Sequence, residues 1–202
     1  RIKEEASTLF SLGYLDLQVR ARVERLFWNC CEKILRIVRE LPYIPEELEP
    51  LEKGLADTYY GNFSVFQSAP DHWAVKQLFP VMPIHRLQEK PSRRGVFADL
   101  TCDSDGKIDK FIDQRDVKDV LELHPWNGDP YYIGLFLVGA YQEILGDLHN
   151  LFGDTDAVHV RLAANDKYEV EHVVEGEDVK DVLRYVQYGR DTLIEQVRRT
   201  IE

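Results

Sequence analysis

The apolar residues of this chain change period once, near residue 61, and that change limits the folds open to it. Before it, Val19, Val23, Leu26, Phe27, Cys30, Ile34, Ile37, Val38 and Leu41 recur at three- and four-residue spacing, the stripe of one long helix. Lys3 to Leu12 is a shorter amphipathic segment that Gly13 stops, and Pro42 and Pro45 end the long helix. Pro45 then suits the first turn of another helix, with Glu46 and Glu47 beside it; Pro50 disturbs that helix, which runs to about Tyr59. From Asn62 the spacing shortens. The run Phe63 to Phe66 reads as a strand, followed by 81–87, 95–101, 107–112, 117–124, 132–138, 157–162 and 168–174. Asn165-Asp166-Lys167 reads as the turn of the last hairpin. Residues 177–201 return to helical spacing, broken near Gly189. The pattern predicts an α+β chain: a helical bundle over residues 1–60, a mainly antiparallel β-barrel over 61–176, and C-terminal helices over 177–202 that pack on the barrel.

Charge and cysteine usage narrow the partners. A formal charge of −11 argues against nucleic acid, which needs a basic face, and suits a small cationic ligand. No run of about 20 apolar residues is present, so no helical membrane span is expected, and no secretory signal pattern appears. The cysteines, Cys30, Cys31 and Cys102, form no CxxC motif, which predicts a reducing cytoplasm and no structural zinc. The chain opens at Arg1 inside a helix-like pattern, which reads as a truncation.

One loop carries chemistry. Phe97 to Thr101 reads as a strand running into Cys102-Asp103-Ser104-Asp105-Gly106, with Lys107 opening the next strand. Asp-x-Asp-Gly-x-Ile is also the middle of a calcium loop. With Gly106 at its sixth position, however, Thr101 and Ile112 fall where the first and last carboxylates belong. A nucleophilic thiolate is disfavoured too, because adjacent carboxylates favour the protonated thiol. What is left is a proton-donating thiol beside anions that suit a cation, or a polar β-turn with a half-buried cysteine.

The surrounding blocks bear on that choice. Asn62 to Trp73, Phe79 to Leu87, Arg93-Arg94-Gly95, Thr101 to Asp105 and Gly139 to Thr155 resemble, in this order, the biosynthetic arginine decarboxylases of bacteria. The resemblance covers most of residues 55–160 and identifies the chain with their C-terminal part. It implies a pyridoxal-phosphate enzyme of alanine-racemase-like architecture, related to ornithine and diaminopimelate decarboxylases. The cofactor-binding TIM-type barrel would lie outside this chain, and residues 1–60 would belong to a helical insertion. The implied reaction turns L-arginine into agmatine and carbon dioxide for polyamine (spermidine) synthesis. The active site would be shared between copies of the subunit in a cytoplasmic dimer or tetramer. Magnesium is implied by the resemblance alone; no magnesium site is legible in the residues.

Residue roles follow from the same resemblance, each beside a structural alternative. Cys102 matches the active-site cysteine, and a thiol can return a proton to the α-carbon after carbon dioxide leaves; the alternative is packing. Asp103 would face the distal cation of the substrate, since a carboxylate pairs a guanidinium in bidentate fashion. Asp105 is left between bracing the turn and pairing with a lysine across the subunit interface. Asp71, placed after a strand, either meets the substrate's distal end or caps a helix. Tyr141, behind the small residues Gly139 and Ala140, would bind the cofactor phosphate; the alternative is a core tyrosine. His85 and His124 read as packed histidines, and His149 is left open between a structural and a site role. No lysine sits in a Schiff-base setting and no glycine-rich phosphate loop precedes a helix, so the chain alone is expected to be inactive. The competing readings are a non-catalytic assembly or regulatory module, and a decarboxylase of ornithine or diaminopimelate.

Overall fold

The computed structural model describes residues 1–41, 45–114, 116–165 and 167–201. They form two units, Arg1–Asp57 and Thr58–Glu202. The first is a helical hairpin with a short third helix. Helix α1 (Ile2–Ser11) ends before Gly13, whose φ of 77° provides the left-handed turn that a residue with a Cβ resists. Helix α2 (Leu17–Val38) starts at Asp16, whose carboxylate accepts the Val19 N–H at 2.8 Å. The buried face of α2 carries Cys31, Leu35 and Val38, and Ala6 of α1 is buried too. Of these only Val38 belongs to the expected stripe, whose Cys30, Ile34 and Ile37 are exposed. The Lys3 ammonium lies 4.5 Å from the Trp28 ring, and the Arg20 guanidinium lies 4.7 Å from that of Phe10. Residues Glu46–Leu48 make a 3-10 turn that leads into α3 (Glu49–Gly54) with Pro50 in its first turn, where a missing N–H costs nothing. The expected helix stop at Pro42 lies outside the described residues. The expected continuation of the last helix to Tyr59 is corrected: Asp57–Tyr60 is strand β1.

The second unit is built around β3 (Arg93–Ala98), which pairs with β1, with β4 (Lys107–Ile108) and with β7 (Leu121–Leu123). The antiparallel register sets Phe97 against Ile108 and Gly95 against Leu121. Val65, Phe97, Ile108, Phe111, Leu121 and Leu123 form the core of this sheet. Three two-stranded ladders complete the strands: β2 (Val81–Pro83) with β8 (Ile133–Leu135), β5 (Phe111–Ile112) with β6 (Val117–Lys118), and β9 (Ala157–Leu162) with β10 (Tyr168–Val174).

Among the described residues the strands of the expected β-barrel fall into four separate sheets, and no closed barrel is seen. Most of their strands run only two or three residues before the backbone turns out of register. Arg86 and Leu137, at φ of 58°, interrupt two of the longer expected strands. The last hairpin has the expected bounds; Asp166 of its turn lies outside the described residues.

The expected strand at Phe63–Phe66 is also corrected. Ser64 is the N-cap of helix α4 (Val65–Ser68), and its hydroxyl accepts the Gln67 N–H at 3.3 Å. Helix α5 (Pro70–Ala74) follows at once, and α6 (Ala140–Leu145) packs against both. Helix α7 (Val179–Tyr185) opens with a capping box between Asp178 and Asp181, and α8 (Arg190–Ile201) follows Gly189. His124 is buried and fully engaged. Its Nε2 lies 3.0 Å from the Glu89 carbonyl and its Nδ1 2.8 Å from the Tyr131 hydroxyl. No helix among the described residues is long and apolar enough to cross a membrane.

Candidate active site

Strand β3 delivers the loop that carries Cys102, and a buried carboxylate shapes it. Asp99 is 4% exposed. Its Oδ2 accepts the Val65 N–H at 2.9 Å, at the first residue of α4. Its Oδ1 accepts the Thr101 N–H at 2.9 Å and the Thr101 hydroxyl at 2.7 Å. One side chain thus satisfies a helix-end donor that would otherwise be orphaned and folds the first residues of the loop. The Asp99 N–H donates to the Gly106 carbonyl at 2.8 Å. Gly106 lies so close that a Cβ there would sit 2.1 Å from the Asp99 Oδ1. Gly106→Ala is expected to destabilise the second unit by about 1–3 kcal/mol, the usual cost of forcing a methyl into filled space. Urea unfolding of the purified variant measures this.

The loop closes on itself beyond that point. The Asp103 carboxylate accepts the Asp105 N–H at 2.9 Å, and the Asp103 carbonyl accepts the Gly106 N–H at 3.1 Å. Asp103, not Asp105, is the residue whose side chain braces the turn. Cys102, Asp103 and Asp105 are all exposed. The Cys102 N–H donates to Oδ1 of Asn150 at 3.1 Å, which ties the loop to the segment His149–Leu151. The His149 ring lies against that of Phe66 at 4.6 Å, so this segment in turn rests on α4.

Asp71 does not follow a strand and does not cap a helix. It lies in the first turn of α5, whose N-cap position is Ala69. Gln142 of α6 holds it at both ends: its Nε2 donates to Asp71 Oδ2 at 2.6 Å, and its Oε1 accepts the Asp71 N–H at 3.0 Å. Gln142 is 4% exposed, whereas Tyr141 beside it is 76% exposed. Tyr141 is therefore not a core tyrosine. All four candidate residues, Cys102, Asp103, Asp71 and Tyr141, lie in the second unit, where α5 and α6, which carry Asp71 and Tyr141, pack on α4. Asp99, Asn150 and Gln142, which position them, had no motif to reveal them.

The exposed Tyr141 phenol is a hydrogen-bonding group open to a ligand. Every described lysine is exposed except Lys3, over Trp28, and Lys118, which is 2.6 Å from a Glu122 oxygen. Lys107 and Lys110 face Asp109 and Asp119. Among the described residues no three His, Cys, Asp or Glu side chains gather as metal ligands.

Comparison with known proteins bears on the whole length. Residues 1–52 match the arginine decarboxylase helical bundle domain family. The chain is 64% identical to a biosynthetic arginine decarboxylase of Gloeobacter violaceus, over 100% of this chain and 32% of that protein. It is 54% identical to one of Phocaeicola vulgatus, over 100% of this chain and 31% of that protein. The crystal structure of the biosynthetic arginine decarboxylase SpeA from Campylobacter jejuni superposes with a TM-score of 0.71 at 35% identity, covering 98% of this chain and 31% of that one. The chain spans about a third of the length of these relatives. This likeness runs through the bundle, the thiol loop and the closing helices alike: over its whole length the chain is similar to one part of the biosynthetic arginine decarboxylases.

Proposed function

We propose that this chain supplies the substrate loop to the shared active site of a pyridoxal-phosphate-dependent arginine decarboxylase that forms agmatine and carbon dioxide for polyamine synthesis in the cytoplasm. The observation that supports this best is the exposed Cys102–Asp105 turn, held by the buried Asp99 in a chain related end to end to such enzymes. The bound cofactor supplies an electron sink for the pair left when carbon dioxide departs. The Cys102 thiol returns the proton to the α-carbon. Asp103 and Asp71 take the guanidinium of arginine through charge-assisted hydrogen bonds. In Asp103 one oxygen already accepts the Asp105 N–H, and in Asp71 one oxygen accepts from Gln142, so each carboxylate is aimed before substrate arrives. Tyr141 donates its hydroxyl to a cofactor phosphate oxygen. The cofactor lysine belongs to the part of the relatives' length that this chain does not span, and the partner that completes the site is another copy of the full-length subunit.

The test uses steady-state release of carbon dioxide from arginine, ornithine and diaminopimelate by the full-length protein. Arginine is expected to be the preferred substrate. Asp103→Asn and Asp71→Asn are each expected to raise the arginine KM about 10- to 100-fold, the weight of a charge-assisted hydrogen bond. The 202-residue chain by itself is expected to give no Schiff-base absorbance with added pyridoxal phosphate and no agmatine. Turnover by this chain alone, or unchanged KM in both variants, defeats the proposal.

A further inference from the structure

We propose that Asn150 is a positioning residue for the Cys102 thiol. The inference rests on Cys102 acting as the proton donor, as argued under Proposed function. Three observations lead to it. Asn150 and Leu151 hold φ of 57° and 60°, the left-handed region that residues with a Cβ rarely enter and that asparagine tolerates best. Strained backbone of this kind persists only where its surroundings hold it, and it gathers at functional sites. Here the surroundings are visible: His149 lies against Phe66, and helix α7 packs on the same segment. The third observation is where the side chain points. Its Oδ1 takes the N–H of Cys102, 48 positions earlier, at 3.1 Å.

Within the loop, Thr101 is fixed by Asp99 and Asp103 is held in the turn by the N–H of Asp105. The peptide plane between Thr101 and Cys102 is the remaining joint, and its orientation sets the direction of the Cα–Cβ bond that carries the sulfur. Both partners of the bond are exposed, so water competes for it and its worth lies in direction more than in stability. Proton transfer to carbon is sensitive to direction: a misplacement of about 1 Å can cost about a hundredfold in rate.

Two substitutions separate the acceptor from the backbone. Asn150→Gly keeps the left-handed conformation without strain and removes the acceptor. Asn150→Asp keeps an acceptor in a residue that tolerates this φ and adds a charge beside the thiol. In the full-length enzyme with pyridoxal phosphate bound, Asn150→Gly is expected to lower kcat about 10- to 100-fold with the arginine KM and cofactor content unchanged. Asn150→Asp is expected to stay closer to the parent. A second readout needs no cofactor: iodoacetamide labelling of Cys102 in the apo-protein as a function of pH, followed by peptide mapping to separate it from Cys30. There Asn150→Asp is expected to label about three- to fivefold more slowly near neutral pH, because a carboxylate a few ångströms away disfavours the thiolate. Asn150→Gly is expected to label at the parent rate.

The proposal is overturned if Asn150→Gly keeps kcat within twofold while Cys102→Ala is crippled. It is also overturned if kcat falls only together with melting temperature or cofactor content, or if Asn150→Asp labels like the parent. Full activity of Cys102→Ala would instead remove the reading on which the proposal rests.

Discussion

Cys102→Ala in the full-length enzyme is expected to lower kcat for arginine by about 10²- to 10⁴-fold, the usual contribution of a positioned general acid. The arginine KM and the cofactor absorbance are expected to stay as they were. The reasons are geometric. The thiol is exposed on a loop whose shape is set by the Asp99 carboxylate and the Asn150 amide, and neither of those contacts involves the sulfur. Removing Sγ therefore leaves the loop standing. Asp103, whose carboxylate is oriented by the Asp105 N–H, keeps its grip on the substrate. A group that acts only in the transition state shows its loss in kcat. Carbon dioxide release and agmatine formation should be measured together. Without the thiol, the proton need not reach the α-carbon, so agmatine is expected to fall below carbon dioxide. Equal yields at the parent rate would show that another group delivers the proton.

How much of this could be read from the sequence depends on the range of the interaction. Helix α2 and the last hairpin were legible because their signal is local: the stripe from Val19 to Val38 and the alternation in 157–162 and 168–174 need no partner elsewhere. The misreading at Phe63–Phe66 has a local cause too. A run as short as Phe63-Ser64-Val65-Phe66 fits a strand or a helical turn equally, and Ser64 followed by Gln67 carries the capping spacing that decides for the helix. The expected barrel stands differently, because the described strands form four separate sheets. Whether short strands close on themselves depends on pairing between distant segments, and the positive φ values at Arg86 and Leu137 have no glycine to announce them.

The candidate site divides the same way. The thiol and its carboxylates form one contiguous motif, and the resemblance supplied their chemistry. Their supports act across 34, 48 and 71 positions, for Asp99 to Val65, Cys102 to Asn150 and Asp71 to Gln142 respectively. An aspartate inside Phe97-Ala98-Asp99-Leu100 was the one visible hint, since a carboxylate in an apolar run must find donors when buried.

Those donors make Asp99 the residue whose loss should cost the second unit most stability. Asp99→Ala is expected to destabilise it by about 2–6 kcal/mol: it leaves one fully buried amide and a second, partly buried group without a partner, each costing about 1–3 kcal/mol. Val65, which donates to Oδ2, is 0% exposed, and Gly106 fills the space beside Oδ1, so water has little room to replace the carboxylate. Asp99→Asn is the sharper experiment, because its volume is nearly unchanged. The carboxylate accepts on both sides, from Val65 at Oδ2 and from Thr101 N–H and hydroxyl at Oδ1. An amide placed here must turn its NH2 toward one of those N–H groups, donor against donor, whichever way it flips. Asn is therefore expected to recover less than half of the stability lost in Ala. Amide hydrogen exchange should report the damage at Val65 and Thr101 together, since one carboxylate joins the start of α4 to the start of the loop. Normal protection at both amides in Asp99→Asn would mean that the loop is held from the Asn150 side alone.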